Sequence, residues 1–175
     1  SEKLTTAAVA VNTFGVSDKI RVDAAGVAAR FRYNCETGSL PSAILNVKEY
    51  DRSSEATQML FQRGDMAAFT AARPLKYQPG TVFNYSSGNS NILSRIIRQT
   101  VGDAGYYRFP YDSLFYPLGM YHTTWEADAS GTLVGSSYVH ASCRDWARFG
   151  LLYLNNGVWN NRQLLPATWV EYVQT

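Results

Sequence analysis

The residues with the clearest chemical potential in this chain are Tyr85, Ser86 and Ser87. They sit in the stretch Pro79-Gly80-Thr81-Val82-Phe83-Asn84-Tyr85-Ser86-Ser87-Gly88-Asn89-Ser90. A Pro-Gly turn signal opens the stretch, and a short β-prone run from Thr81 to Tyr85 follows. A polar cluster comes next, then Ile92, Leu93, Ile96, Ile97 and Val101. That spacing marks one apolar face of an α-helix, expected over Ser90 to Val101. Tyr85 therefore stands where a turn meets a helix start. A phenol there, with hydroxyls beside a helix N-terminus, is suited to proton transfer. The same pattern fits a plainer reading, with Tyr85 as a half-buried aromatic and Ser87 or Asn89 as an N-cap.

Other nucleophile systems have less support. No Gly-x-Ser-x-Gly elbow occurs, and Gly88-Asn89-Ser90-Asn91-Ile92 comes nearest but lacks the final glycine. Cys143 and His140 form a Cys/His pair by spacing only, and Cys143 falls in the first turn of an expected helix, which makes it structural. The two cysteines, Cys35 and Cys143, show no metal-ligand spacing, and free thiols are the expected state. His122 and His140 are the only histidines, so a multi-histidine zinc site is excluded.

The elements around the central stretch follow from periodicity and punctuation. Leu4 to Val11 is expected as a helix of small apolar residues ending before Gly15. Thr37-Gly38-Ser39-Leu40-Pro41 is a loop signal. Ser54 to Ala72 is expected as a helix broken near Gly64, with Met59, Leu60, Met66, Ala67 and Phe69 on its apolar faces. Arg63-Gly64-Asp65 is an accidental tripeptide in a helical context that disfavours an exposed loop. Asp112 to Leu118 is a short helical or turn segment, and Tyr121 to Glu126 suits a strand. Asp128 to Gly131 is a loop. Ser142-Cys143-Arg144-Asp145 fits a capping box, Ser142 as N-cap and Asp145 reaching back to it. Trp146, Phe149, Tyr153 and Leu154 give that helix a buried face, and Gly157 ends it. Val158-Trp159 and Gln163-Leu164-Leu165 pair as a hairpin across Asn160 to Arg162. Pro166 opens a final helix from Ala167 to Val173.

The chain has 175 residues, enough for one domain with a sizeable core. A net charge of +2 with no block of like charges implies neither nucleic acid nor a membrane surface as partner. No transmembrane run is present. The Tyr-rich aromatic content suits an enzyme cleft or a carbohydrate-binding face.

The run Pro-Gly-Thr-x-Phe-x-Tyr-Ser-Ser-Gly-Asn-Ser, ahead of an amphipathic helix, resembles the second motif of the serine β-lactamase and penicillin-binding superfamily. Class C β-lactamase-like serine hydrolases, family VIII esterases and 6-aminohexanoate-dimer hydrolases are the most similar groups. The resemblance is strong from Asp51 onward and poor between Arg32 and Val47. It includes Pro117-Leu118-Gly119-Met120, similar to a family element that precedes a strand, and Asp18 to Asp23, similar to a connector. It implies a mixed α/β (α+β) fold, an antiparallel sheet flanked by helices, with this chain a single partial domain (1–175) covering mainly the helical region.

The resemblance also implies a chemistry. A serine attacks an ester or amide carbonyl, and water hydrolyses the acyl-enzyme. Tyr85 would be the tyrosine of the motif, with Ser87 hydrogen-bonding the motif lysine or the substrate. Lys3-Leu4-Thr5-Thr6-Ala7-Ala8 matches the family's Ser-x-x-Lys motif from the lysine onward. Lys3 would be that lysine, its ammonium pulling the tyrosine pKa down from about 10; otherwise it is a solvated lysine. The nucleophilic serine would then precede Ser1, and a third motif with the oxyanion hole would follow Thr175. The 175 residues alone are thus expected to be inactive and not to fold stably. Tyr50 occupies the position of a substrate-facing tyrosine of the dimer hydrolases, or is a surface-loop aromatic. The expected substrate is a small ester, amide or β-lactam, with no cofactor; the compartment stays open between periplasmic or secreted, placed first, and cytoplasmic. A non-catalytic homologue of β-lactam-sensor type and a carbohydrate-binding module remain the alternatives.

Overall fold

The computed structural model describes residues 54–75 and 85–174. Lys3, Tyr50, Cys35 and the expected Leu4–Val11 helix lie outside these residues. In chain order the elements are α1 (Glu55–Gln62), α2 (Met66–Ala71), α3 (Ser87–Val101), α4 (Asp103–Tyr106), a π-helical turn (Tyr111–Phe115), α5 (Tyr116–Leu118), β1 (Thr123–Trp125), β2 (Val139–Ala141), α6 (Cys143–Leu154), β3 (Val158–Trp159), β4 (Arg162–Gln163) and α7 (Ala167–Gln174). The described residues are thus mixed α/β, rich in helix, with two small antiparallel sheets.

The segment from Ser54 to Ala72 is two helices. Ser54 caps α1 by accepting the Thr57 N–H at 3.0 Å, and Asp65 caps α2 by accepting the Ala68 N–H at 2.8 Å. The break therefore spans Arg63 to Asp65. Gly64 lies in an exposed connector and not in a helix, which corrects the context expected for the Arg-Gly-Asp tripeptide. Its aspartate is occupied inside the fold, capping α2 and pairing with Arg95. Burial opposes the charge on Asp65, and the Arg95 guanidinium and Ala68 N–H outweigh it, holding the carboxyl below its ordinary range.

α3 begins at Ser87, three residues earlier than expected. Ser86 is the last extended residue, at φ −140° and ψ 123°, and its Oγ accepts the Asn89 N–H at 3.3 Å. The cap is therefore Ser86, and Ser87 is the first helical residue. Leu93 and Ile97 of α3 join the main core with Leu114, Phe115, Leu118, Met120, Trp125, Phe149, Leu152, Leu165 and Val170. Each such side chain contributes about 1.5–3 kcal/mol when fully buried. Gly119, at φ 77°, lets the chain leave α5 in the left-handed region and run to β1.

β1 pairs with β2 in the register Thr123↔Ala141, Thr124↔His140, Trp125↔Val139. Ser142 caps α6 as expected, its Oγ accepting the Asp145 N–H at 3.2 Å. The other half of the capping box does not form. The Ser142 N–H donates to the His122 carbonyl at 3.1 Å. The Asp145 carboxylate, fully buried, accepts the His122 N–H at 2.8 Å and an Arg148 N–H at 2.7 Å. The strand edge competes for both groups and wins. The inner face of α6 is Asp145, Phe149 and Leu152, with Trp146 and Tyr153 partly buried. Leu154, expected inside, is 74% exposed. β3 and β4 form the expected hairpin, shifted so that Asn160 and Asn161 alone make the turn, at φ 47° and 60°.

Candidate functional site

The site grows from the first two turns of α3. Tyr85 precedes the Ser86 cap and is 56% exposed, so its ring stands at the rim. Ser87 is buried. Gly88 permits close approach to α2: a Cβ there would lie 2.6 Å from Thr70 Cγ2 and 2.7 Å from Thr70 Oγ1. Thr70 is itself fixed, its hydroxyl lying 3.0 Å from the Met66 carbonyl and 3.3 Å from Met59 Sδ. α2 thus seats the helix start that carries Tyr85 and Ser87. The aligned peptide dipoles of α3 place partial positive charge at this end, which favours a developing anion.

Ser87, Asn91 and Ser94 recur at i, i+4 and i+7 and are all buried. They form a polar stripe on a helix whose other buried positions are mostly apolar. Its Asn91 and Ser94 face the segment Leu133 to Ser136. Ser94 Oγ donates to the Leu133 carbonyl at 2.6 Å, and the Tyr106 hydroxyl accepts the Leu133 N–H at 2.9 Å. Burial raises the Tyr106 pKa above its ordinary value, although the Ser94 and Leu133 hydrogen bonds oppose the rise. Its phenol stays neutral and structural. The Asn91 carboxamide accepts the Gly135 N–H at 2.9 Å and donates to Ser136 Oγ at 3.3 Å. The sequence reading missed Asn91, Gly135 and Ser136. Its available signal was the polar spacing 87, 91, 94 inside an apolar helix.

Tyr85 and Ser87 are the two sequence-predicted site residues that the described structure contains; Tyr85 lies just ahead of the Ser86 cap and Ser87 is the first residue of α3. Both histidines lie elsewhere, on the β1–β2 ribbon. The His140 ring pairs with Glu126 at 2.9 Å. His122 is 81% exposed, with Nδ1 3.9 Å from Asp145 Oδ2. Cys143 is a free, exposed thiol at the first position of α6. Among the described residues no group of three His, Cys, Asp or Glu side chains is placed to hold a metal, and no helix is long and apolar enough to cross a membrane.

Comparison with known proteins agrees with this architecture. The fold is similar to that of a protein assigned as a 6-aminohexanoate-dimer hydrolase from Bacillus anthracis, with a TM-score of 0.65 and 19% identity, over 99% of this chain and 51% of that one. It is also similar to a protein assigned as a β-lactamase from Bacteroides dorei, with a TM-score of 0.61 and 19% identity, over 97% of this chain and 53% of that one. The chain spans about half the length of these solved structures. No curated protein matches it. The Beta-lactamase family profile matches residues 38–173, most of the chain, and the chain belongs to that family.

Proposed function

We propose that the protein of which these residues form the helix-rich part is a serine hydrolase that cleaves an ester or amide bond of a small molecule through an acyl-serine intermediate. One observation carries this reading: the exposed phenol of Tyr85 stands at the N-terminal rim of α3, two residues ahead of the buried Ser87. Family membership supports the hydrolase class. In this mechanism the nucleophilic serine adds to the carbonyl carbon while Tyr85 takes its proton. Tyr85 then returns the proton to the leaving oxygen or nitrogen, and the acyl group remains on the serine. Water adds to the acyl carbon by the same route in reverse and frees the acid. Ser87 orients the lysine or the substrate, Lys3 supplies the positive charge that a phenolate needs, and Tyr50 faces the substrate.

A fluorophosphonate probe, p-nitrophenyl butyrate and nitrocefin test the full-length protein. The expected result is one covalently labelled serine and turnover of at least one substrate. Tyr85→Phe should fold normally and slow labelling by roughly 10²- to 10⁴-fold, the usual worth of a general base. A wild type that labels nowhere and turns over none of the substrates refutes the hydrolase and leaves the non-catalytic binder. Labelling of Tyr85→Phe within a few-fold of wild type removes the tyrosine from proton transfer.

A further inference from the structure

We infer that Asn91 is a positioning residue of this site: it clamps the turn Val134–Ser137 onto α3 one helical turn below Ser87, which makes that turn a wall of the site. The inference rests on the hydrolase reading of Tyr85 and Ser87. Ser87 and Asn91 are four residues apart, so they share a face about 6 Å apart along the helix. Asn91 is buried, and both ends of its carboxamide are engaged across the joint. Its oxygen takes the Gly135 N–H at 2.9 Å, and its nitrogen reaches Ser136 Oγ at 3.3 Å and Met59 Sδ at 3.7 Å. The Gly135 contact leaves no slack, because a Cβ there would lie 2.2 Å from the Ser90 carbonyl oxygen.

The turn is a short excursion with a pinned neck. Val134 donates its N–H to the Glu126 carbonyl at 2.9 Å, and Glu126 donates its N–H to the Tyr138 carbonyl at 3.1 Å. Between these, the Ser137 N–H reaches the Val134 carbonyl at 3.4 Å. Tyr138 leaves the turn at φ 67°, an uncommon conformation for a bulky residue. Backbone strain of this kind persists only where the surroundings over-determine it, and it clusters at functional sites. With the neck pinned at Glu126, the Trp125 indole N–H holds the Val134 carbonyl at 2.9 Å, and Asn91 ties the next two residues, Gly135 and Ser136, to α3. Asn91 is therefore the side chain of α3 that fixes the Gly135–Ser136 part of the turn against the helix. A displacement of about 1 Å at a reacting centre can cost on the order of 10²-fold in rate.

The test measures fluorophosphonate labelling rates and steady-state kinetics for the full-length wild type, Asn91→Leu, Gly135→Ala and Ser136→Ala. Gly157→Ala is the control for a steric wedge away from the site, because its Cβ would lie 2.1 Å from the Leu165 carbonyl oxygen. Asn91→Leu and Gly135→Ala should slow labelling at least tenfold in protein that circular dichroism shows to be folded, with kcat falling and KM nearly constant. Ser136→Ala should slow it a few-fold. Gly157→Ala should lower the thermal midpoint and leave the labelling rate of folded protein unchanged. Asn91→Leu labelling at the wild-type rate overturns the inference. Where Asn91→Leu and Gly135→Ala fail to fold, Ser136→Ala decides, and an unchanged rate overturns it. A wild type that does not label at all overturns the hydrolase reading and the inference together.

Discussion

Replacing Asp145 with alanine tests the joint between the β1–β2 ribbon and α6. Asp145 is fully buried, and its carboxylate accepts the His122 N–H at 2.8 Å and an Arg148 N–H at 2.7 Å. A hydrogen bond to a charged group is worth about 1.5–3 kcal/mol net. The Arg148 side chain is 36% exposed, so it regains water when its partner is lost. Its pair is discounted to the value of exposed pairs, about 0.2–1 kcal/mol. The Ser142 cap survives the substitution, because it binds the backbone N–H of residue 145. Asp145→Ala should therefore destabilise by about 2–4 kcal/mol, more than the roughly 1 kcal/mol of a lost cap. At about 2–4 °C per kcal/mol the midpoint should fall by roughly 4–16 °C. Urea unfolding of wild type and variant measures the difference. The pH dependence has a definite sign. Burial alone would raise this carboxyl's pKa, but the His122 N–H, Arg148 and Ser142 bonds outweigh burial and hold it below the ordinary value. The stabilisation is present above the unfolded-state pKa of about 3.9 and disappears as pH falls through the depressed folded value. A loss below about 0.5 kcal/mol, the range of ordinary surface changes, or a gap that widens in acid, refutes the reasoning.

The remaining predictions concern packing. Gly88→Ala should destabilise by about 1–3 kcal/mol through overpacking against Thr70, and adding Thr70→Ser, which removes the Cγ2 atom 2.6 Å away, should recover part of that in a double-mutant cycle. Additive effects of the two changes would show that the α2–α3 contact is not the cause. Leu152→Ala, at a fully buried position, should cost about 2–5 kcal/mol, whereas Leu154→Ala, two residues on and 74% exposed, should stay within about 0.5 kcal/mol. Equal losses measured by urea unfolding would mean that α6 is rotated relative to the core.

Local features were legible in the sequence where one element decides them alone. The apolar repeat from Ile92 to Val101 marked the body of α3, and the Asn160-Asn161 turn marked a hairpin because its left-handed residues suit that turn. The features that needed a second element were not legible. Leu154 fits an apolar face by spacing, but α6 turns Asp145, Phe149 and Leu152 inward, where His122, just ahead of β1, offers Asp145 a backbone donor. The capping box failed for the same reason: its reciprocal bond is a local default that yields when a strand edge supplies a donor and an acceptor to the same two groups. The candidate site shows both cases. Tyr85 and Ser87 are candidates from a linear motif, and the helix start next to them is a local feature, capped by Ser86. Asn91 could not be found that way, because hydrophobic periodicity treats a polar residue as a gap in the pattern. A gap repeated at 87, 91 and 94 has a helical period of its own, and buried polar groups must find partners. Such a stripe therefore predicts that a backbone segment, with free N–H and C=O groups, lies against it. Leu133 to Ser136 is that segment, and its distance in the chain from α3 is what kept it out of reach of a local reading.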